Sequence, residues 1–377
     1  MKRIIIKKVV TNKEKKQFVN FPLKLFKDTP NFVPPMYSDE MKILNQKSSY
    51  SLECDSVFFL AYIDKKVVGR ISGIIHHTYN KIHNEKQARF TRFDSIDDID
   101  VAKALFDAVI NWAKNKGAYH IVGPLDYSDL EREGLLIQGF DERMTFEEQY
   151  HPSYYQKLIE QLGFEKDVDW YEFELTFEDG QREKLEKISK FIEKTTKVTL
   201  APLLPKKQYI KKYMYQVFDM IDICYGKLYG TMPLSDKTKK QIVKQFGTLI
   251  IPKYLPVAIN EKGEMVGFGL SFPAIGHALK KSGGRLTIPA LFKLLNAINH
   301  PEVLELCLVA IHPDYQNKGI NALFLTHMYK NAKQSGIKCC ETNLNLETNH
   351  EVMAQWKNFN ARNHKIRRCY KKQIDLL

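Results

Sequence analysis

A polar segment between an apolar strand and a helix carries the clearest chemical signal in the sequence. Residues 303–311 (VLELCLVAI) are predicted to form a strand, and Pro313 ends it. Residues 316–322 (QNKGINA) then lead into a helix predicted over 321–333. The first turn of a helix has unpaired N–H groups and the positive end of the helix dipole, so this segment could bind an anion.

Three residues of the segment favour a phosphate ligand. Gly319 has no Cβ and lets a ligand come close to the backbone. Lys318 adds a positive charge, and Asn321 is predicted to cap the helix. The most natural ligand of such a loop is a diphosphate, although an ordinary strand–loop–helix turn would use the same residue types.

Composition limits the class of protein. The chain has 377 residues, 44% of them hydrophobic and 27% charged, which is a globular composition for more than one domain. The net charge of +13 favours anionic partners. No stretch is long and apolar enough to span a membrane, and the six cysteines and the histidines lack metal-ligand spacing. We therefore predict a cytoplasmic protein with reduced thiols, no metal and no membrane partner.

The order of predicted elements is similar in the two halves. In the first half, strands at 57–63 and 67–75 form a hairpin, followed by a strand at 88–93 and a helix at 98–116. In the second half, a hairpin at 255–272 precedes the strand at 303–311 and its helix. This order predicts two tandem domains of one α/β fold, each a mixed central sheet flanked by helices, over residues 1–168 and 169–377.

The run HPDYQNKGINALF resembles motif A of the GCN5-related N-acetyltransferases (GNAT), with Gln316 and Gly319 in the motif positions and Asn321 in place of its last small residue. The resemblance implies an acyltransferase that uses acetyl-CoA or another acyl-CoA and acts on a small-molecule amine. It also implies that the coenzyme A pyrophosphate binds the loop and that the pantetheine arm pairs with the preceding strand. The residues implied are Leu308, Val309, Ala310, Ile311, Gln316, Asn317, Lys318, Gly319, Ile320, Asn321 and Ala322.

Acyl transfer to an amine requires a base, because only the neutral amine attacks the thioester. Glu305, inside the apolar strand, is the first candidate for the base, and a carboxylate on this strand often has that role in the family. His312, at the strand end, is the second. Either residue could equally be structural: Glu305 on an exposed strand face, and His312 in a turn.

The general acid is less clear. The family's usual acid is a Tyr seven residues after an Asn; Asn349 matches the Asn, but Trp356 stands at the Tyr position. Tyr370 or Tyr329 could protonate the leaving thiolate instead. Trp356 could line the acyl pocket or belong to the core.

The first half resembles the family more weakly. Its corresponding loop, residues 94–100 (DSIDDID), lacks the glycine and has four aspartates that would repel a diphosphate. We predict that the first domain does not bind coenzyme A. The whole chain resembles bacterial proteins with a tandem arrangement of this fold, which implies no particular substrate.

Two other functions remain open at this point. One is an aminoacyl-tRNA-dependent transferase, which the positive charge favours and the intact loop disfavours; tRNA is therefore not excluded as a partner, although nucleic acid is not expected. The other is a non-catalytic module that binds acyl-CoA, which Trp356 favours.

Overall fold

The computed structural model describes residues 3–177, 181–357 and 359–374. The chain divides into two compact units. The first comprises Met1–Tyr171, Gly276–Lys293 and His364–Leu377, and the second Glu172–Ile275 and Leu294–Asn363. This division differs from domains over 1–168 and 169–377 in that two later segments group with the first unit.

The first unit contains a mixed sheet with strand order β1-β2-β3-β4-β5-β14, and β6 pairs with β14. Only β4 and β5 are parallel, from Gln87 opposite His120 to Arg89 opposite Val122. The predicted hairpin is confirmed: β2 and β3 pair antiparallel across a turn in which Asp64 and Lys65 have positive φ. The strands are β1 (Ile5–Lys8), β2 (Cys54–Ile63), β3 (Lys66–His76), β4 (Gln87–Ser95), β5 (His120–Gly123), β6 (Leu135–Gln138) and β14 (Asn360–Gln373).

An amphipathic helix covers this sheet. Its apolar residues Val101, Leu105 and Val109 recur at helical spacing and are fully buried, each burial stabilising the fold by about 1.5–3 kcal/mol. The predicted helix at 98–116 is thereby confirmed. The helices of this part of the chain are α1 (Asn12–Leu25), α2 (Tyr37–Leu44), α3 (His77–His83), α4 (Ile99–Asn115) and α5 (Tyr154–Gln161).

The second unit repeats the arrangement, with strand order β7-β12-β11-β10-β9-β8. Here β11 and β12 are parallel, and the strand predicted at 303–311 is confirmed as β11. The strands are β7 (Glu165–Thr176), β8 (Thr199–Leu200), β9 (Val257–Ile259), β10 (Met265–Pro273), β11 (Val303–Ile311), β12 (Cys339–Thr342) and β13 (Asn345–Leu346). The helices that follow along the chain are α6 (Gln181–Thr196), α7 (Lys206–Tyr225), α8 (Asp236–Phe246), α9 (Gly276–Lys280), α10 (Ile288–Asn299), α11 (Asn321–Gln334) and α12 (His350–Trp356).

Helices pack on both faces of the second sheet. Tyr213, Val217 and other residues of α7 contact Phe268 and Ala310 on one face. Residues of α11 and Ile192 of α6 contact the other face. The core therefore encloses β11, the strand from which the predicted loop departs.

The last strand of each sheet comes from the other half of the sequence. The strand after α5, β7, pairs antiparallel with β12, and the strand after α12, β14, pairs antiparallel with β5. Each unit is thus completed by a segment distant in sequence. A single domain boundary placed in the sequence cannot describe these two pairings.

Several charged residues are buried, contrary to the solvated positions that their sequence context suggests. Asp94 of the acidic loop lies in β4, fully buried, with its carboxylate 2.7 Å from the Arg70 guanidinium. In the basic C-terminal run, Lys365 and Arg367 are fully buried and bind the carboxylate of Glu148. These two residues of the run are therefore held inside the fold by their ion pairs with Glu148.

Candidate active site

The segment after β11 is a built turn. The His312 amide donates to the Val266 carbonyl at 2.9 Å, which holds the end of the strand against β10. Its ring Nδ1 accepts the Asp314 amide at 3.3 Å and caps the short helical turn Pro313–Tyr315. These bonds give His312 a structural part in shaping the turn.

The loop that follows presents a row of open backbone amides. Asn317 and Gly319 have positive φ angles of 60° and 78°, alternating with residues of ordinary conformation. Such alternation turns successive N–H groups toward one side, forming an anion-binding concavity. Among the described residues, none accepts a well-aligned hydrogen bond from the amides of residues 317–321. The flanking amides are used: Gln316 donates to Pro313, and Ala322 donates to Gly319.

The helix that follows begins without a side-chain cap. Its N-cap is Ile320, which is buried and makes no capping hydrogen bond, so the expectation that Asn321 caps the helix is wrong. Asn321 is the first helical residue. Because no side chain takes the N-terminal amides of α11, they stay open to a ligand.

Gly319 is required by the space around it as well as by its φ angle. A Cβ at this position would lie 2.7 Å from Cδ1 of Ile192, a buried residue of α6. The loop backbone therefore rests directly on a helix. Beside it, the ammonium group of Lys318 lies 5.1 Å from the ring centre of Tyr315.

The strand before the loop has an open edge. β11 pairs with β12 only from Val303 opposite Cys339 to Leu306 opposite Thr342, and then continues to Ile311 beyond the end of β12. Opposite β10 the register skips Cys307, which marks a β-bulge at the point where the edge opens. An extended ligand could pair with the backbone between this bulge and the loop.

Two side chains of α7 occupy part of that edge. The Tyr225 hydroxyl donates to the Val309 carbonyl at 2.8 Å and accepts the Val309 amide at 3.3 Å. The Cys224 thiol donates to the Ile311 carbonyl, which also accepts from the Gln316 side chain. The backbone groups of Val309 and Ile311 point away from β10, because Gly269, opposite Val309, donates to Pro256 on its far side. Leu308 and Ala310 alternate with them and pack against α7.

Glu305 lies in a row of glutamates across three strands. It is opposite Glu341 of β12, which is in turn opposite Glu174 of β7. Residues opposite each other on adjacent strands share a face of the sheet, so the carboxylates project on one side. Glu305 and Glu341 are both buried, which excludes the reading of Glu305 as an exposed surface charge.

The residues considered for the acid lie in packed surroundings. The Trp356 indole is buried and donates to Asn345 at 3.1 Å, within the core that also contains Tyr329. The Asn349 side chain accepts the Val352 amide and caps α12. Tyr370 belongs to the first unit, where its hydroxyl donates to Glu160 and burial raises its pKa.

The structure therefore places the loop, the open edge, Glu305 and His312 on or directly after β11 in the second unit and places Tyr370 in the first. Sequence reasoning missed Tyr225 and Glu341. Glu341 had a signal, since it is a glutamate inside an apolar strand, as Glu305 is. Tyr225 had none, because its contact with Val309 joins residues far apart in sequence.

The corresponding loop of the first unit is closed by its own side chain. Asp98 caps α4, and its carboxylate accepts the amides of Asp100 and Val101. The prediction of four aspartates in this loop is corrected in one respect. Asp94 lies in the strand and pairs with Arg70, so three aspartates remain near the start of the helix.

Comparison with known proteins agrees with this geometry. Residues 215–359 match the family model described as Acetyltransferase (GNAT) family. Over 98% of its length the chain is 25% identical to protein YghO of Escherichia coli K12, covering 95% of that protein. Over 97% it is 24% identical to a bacterial ceramide synthase of Caulobacter vibrioides, covering 96%.

A solved structure supports the fold of the whole chain. A tandem GNAT protein from the clavulanic acid biosynthesis pathway aligns with a TM-score of 0.57 and 9% identity, over 99% of both chains. The similarity shows a tandem-GNAT-like fold over the whole chain. The GNAT family match covers residues 215–359, which include the loop and the open edge of β11.

Two further observations limit the site. No helix of the described residues is both long and apolar enough to cross a membrane. Within the same residues, no group of three or more His, Cys, Asp and Glu side chains is arranged to hold a metal ion.

Proposed function

We propose that the second unit transfers the acyl group of an acyl-coenzyme A to a primary amine. The observation that carries this proposal is the row of open amides at residues 317–321, at the uncapped start of α11. A diphosphate there would accept several N–H bonds and face the positive end of a helix dipole. The missing Cβ of Gly319 lets the loop backbone pack directly on Ile192 of α6.

The pantetheine arm would extend from this loop along the open edge of β11. Its amide groups would pair with the backbone of Val309, as a further strand would. The Tyr225 hydroxyl holds those backbone groups in the ligand-free protein, so the arm must replace it. The released hydroxyl would then stand beside the arm.

Three chemical tasks can be assigned to residues at the site. Glu305 would accept the proton of the ammonium group, since its carboxylate is on the face that α7 covers. Backbone amides at the Cys307 bulge would polarise the thioester carbonyl. The Tyr225 hydroxyl, once displaced from Val309, is our candidate for the proton donor to the thiolate.

The acceptor we propose is a long-chain amino alcohol. This proposal draws on the full-length similarity to a protein named bacterial ceramide synthase. A ceramide is the amide of a fatty acid with such an amino alcohol, so its synthesis is an N-acylation. The chemistry matches the transfer proposed for the second unit.

A thiol-release assay tests the function. The full-length protein is mixed with acetyl-CoA or a long-chain acyl-CoA and with a panel of amines that includes long-chain amino alcohols and short polar amines. We expect thiol release with the amino alcohols, and we expect mass spectrometry to detect the amide product.

Other outcomes would replace the proposal. Tight coenzyme A binding without thiol release across the panel would favour a non-catalytic module. Salt-sensitive tRNA affinity without coenzyme A binding would favour an aminoacyl-tRNA-dependent transferase. Release only with short amines would retain acyl transfer and exclude the lipid acceptor.

A further inference from the structure

Helix α10 exposes large apolar side chains on its outer side. Ile288, Leu291, Phe292 and Leu295 follow the spacing of one helix face, and Leu286 precedes them. Ile288 is 75% exposed and Phe292 is 69% exposed. We call these five residues the apolar stripe. Single exposed apolar residues are normal on proteins, but a continuous stripe marks a surface that binds something.

The residues just before the stripe are anchored to the segment around Tyr37 and to α1. The Gly284 carbonyl accepts the Tyr37 amide at 3.0 Å, and Gly284 has no room for a Cβ beside the Pro35 carbonyl. The Arg285 guanidinium donates to Asn20 and stacks on the Tyr37 ring at 3.8 Å. The exposure of the stripe therefore belongs to a fixed element of the fold.

The inner side of the helix already has its partners. Ala290, on the face opposite Ile288, is buried, and the Thr287 hydroxyl accepts the Ala290 amide. A helix that packs inward on one side normally has polar residues on the other. Here both sides are apolar, so the outer side lacks the hydration that a surface helix requires.

Charge around the stripe has one sign. The sequence has no aspartate or glutamate between Glu264 and Glu302. The same stretch contains Lys280, Lys281, Arg285 and Lys293, and of these Lys281 and Lys293 are exposed. An apolar surface flanked by cations matches the chemistry of an anionic lipid bilayer, whose headgroups are negative and whose interior is apolar.

We propose that the apolar stripe of α10 docks the protein on an anionic membrane surface, with Lys281 and Lys293 beside the lipid headgroups. The helix would lie in the plane of the interface and bury its outer face by about 5–10 Å. The expectation of no membrane partner rested on the lack of a spanning segment, and a helix in the interface needs none. The proposal does not depend on acyl transfer.

Vesicle sedimentation tests the docking with full-length protein and no acyl-CoA. The vesicles are phosphatidylcholine alone or phosphatidylcholine mixed with phosphatidylglycerol. We expect binding to the mixed vesicles, reduced at least about tenfold by the double substitution Ile288→Ser and Phe292→Ser. Lys281→Gln with Lys293→Gln should weaken binding to the mixed vesicles alone, by about fivefold for each lysine.

A matched control variant and a fluorescent probe complete the experiment. Leu52 is 77% exposed elsewhere in the first unit, so Leu52→Ser should leave vesicle binding unchanged. If the double variant fails to fold, Phe292→Trp supplies a fluorescent indole at the stripe. Its emission should shift to shorter wavelength on addition of mixed vesicles.

Three results would overturn the proposal. The first is no binding of the wild-type protein to mixed vesicles, with no shift for Phe292→Trp. The second is equal loss of binding in Leu52→Ser. The third is a lipid-free dimer that Ile288→Ser with Phe292→Ser dissociates, because a second copy would then cover the stripe.

Discussion

The two units share a sheet order but differ at the loop after the central strand. In the second unit, the amides of residues 317–321 are open and Ile320 provides no side-chain cap. In the first, the Asp98 carboxylate accepts the equivalent helix-start amides itself. One fold thus leaves its helix-start amides open in one unit, while in the other an acidic side chain of the protein accepts them.

The central strands of the two units, β4 and β11, also differ in their buried charged residues. β11 contains Glu305, buried beside Glu341 on the neighbouring strand. β4 contains Arg92, whose guanidinium binds Glu40 and Asp126 in the interior of the first unit. The charges of β4 are thereby used to hold its own unit together. The two central strands thus carry buried charge of opposite sign, a guanidinium in β4 and a carboxylate in β11.

Removal of the proposed base has the largest expected effect on turnover. Glu305→Gln should lower kcat about 10²–10⁴-fold, because the amide cannot accept a proton from the amine. Coenzyme A affinity, measured by titration calorimetry, should not change. The control is Glu302→Gln, which alters an exposed glutamate beside the same strand. Equal kcat in both variants would remove Glu305 from the mechanism.

Removal of the Tyr225 hydroxyl should separate binding from catalysis. Tyr225→Phe frees the Val309 backbone for the pantetheine arm, so coenzyme A affinity should rise about fivefold. Turnover should fall, since the candidate donor to the thiolate is lost. Tyr215→Phe, on an exposed part of α7, is the matched control. A weaker affinity for coenzyme A in Tyr225→Phe would show that the hydroxyl assists binding instead of competing with it.

The smallest expected effect comes from a substitution in the first unit, which tests what distinguishes the two loops. Asp98→Ala should lower the free energy of unfolding by about 1 kcal/mol, measured by urea denaturation, because α4 loses its cap. The number of coenzyme A molecules bound per chain should stay at one, since Asp97 and Asp100 still repel phosphate. Asp98→Asn, which can still cap, should keep most of the stability. A second binding site in Asp98→Ala would mean that the cap alone distinguishes the units.

Much of the fold followed from local pattern. The strand Val303–Ile311, the hairpin at Asp64 and Lys65, and the helix Ile99–Asn115 are marked by apolar spacing and turn residues within a few positions. The position of the loop between β11 and α11 followed in the same way. Each of these features is determined by neighbours in the sequence, which periodicity can detect.

The rest depends on contacts between distant residues. Lys365 and Arg367 lie in the interior, where Glu148, more than 200 positions away, neutralises them. The pairing of β7 with β12, that of β14 with β5, and the bond of Tyr225 to Val309 are likewise set by tertiary contacts. No local propensity encodes which distant group will meet a buried charge.

The central claim is that the loop amides bind the diphosphate of an acyl-coenzyme A, and titration calorimetry of full-length Gly319→Glu with acetyl-CoA tests it most directly. Gly336→Glu is the matched control, because it adds the same charge at a glycine of positive φ just beyond the other end of α11. We expect Gly319→Glu to lose affinity by about a hundredfold or more and Gly336→Glu to bind as the wild type does. Unchanged binding by Gly319→Glu, or no binding by the wild type, would contradict the account.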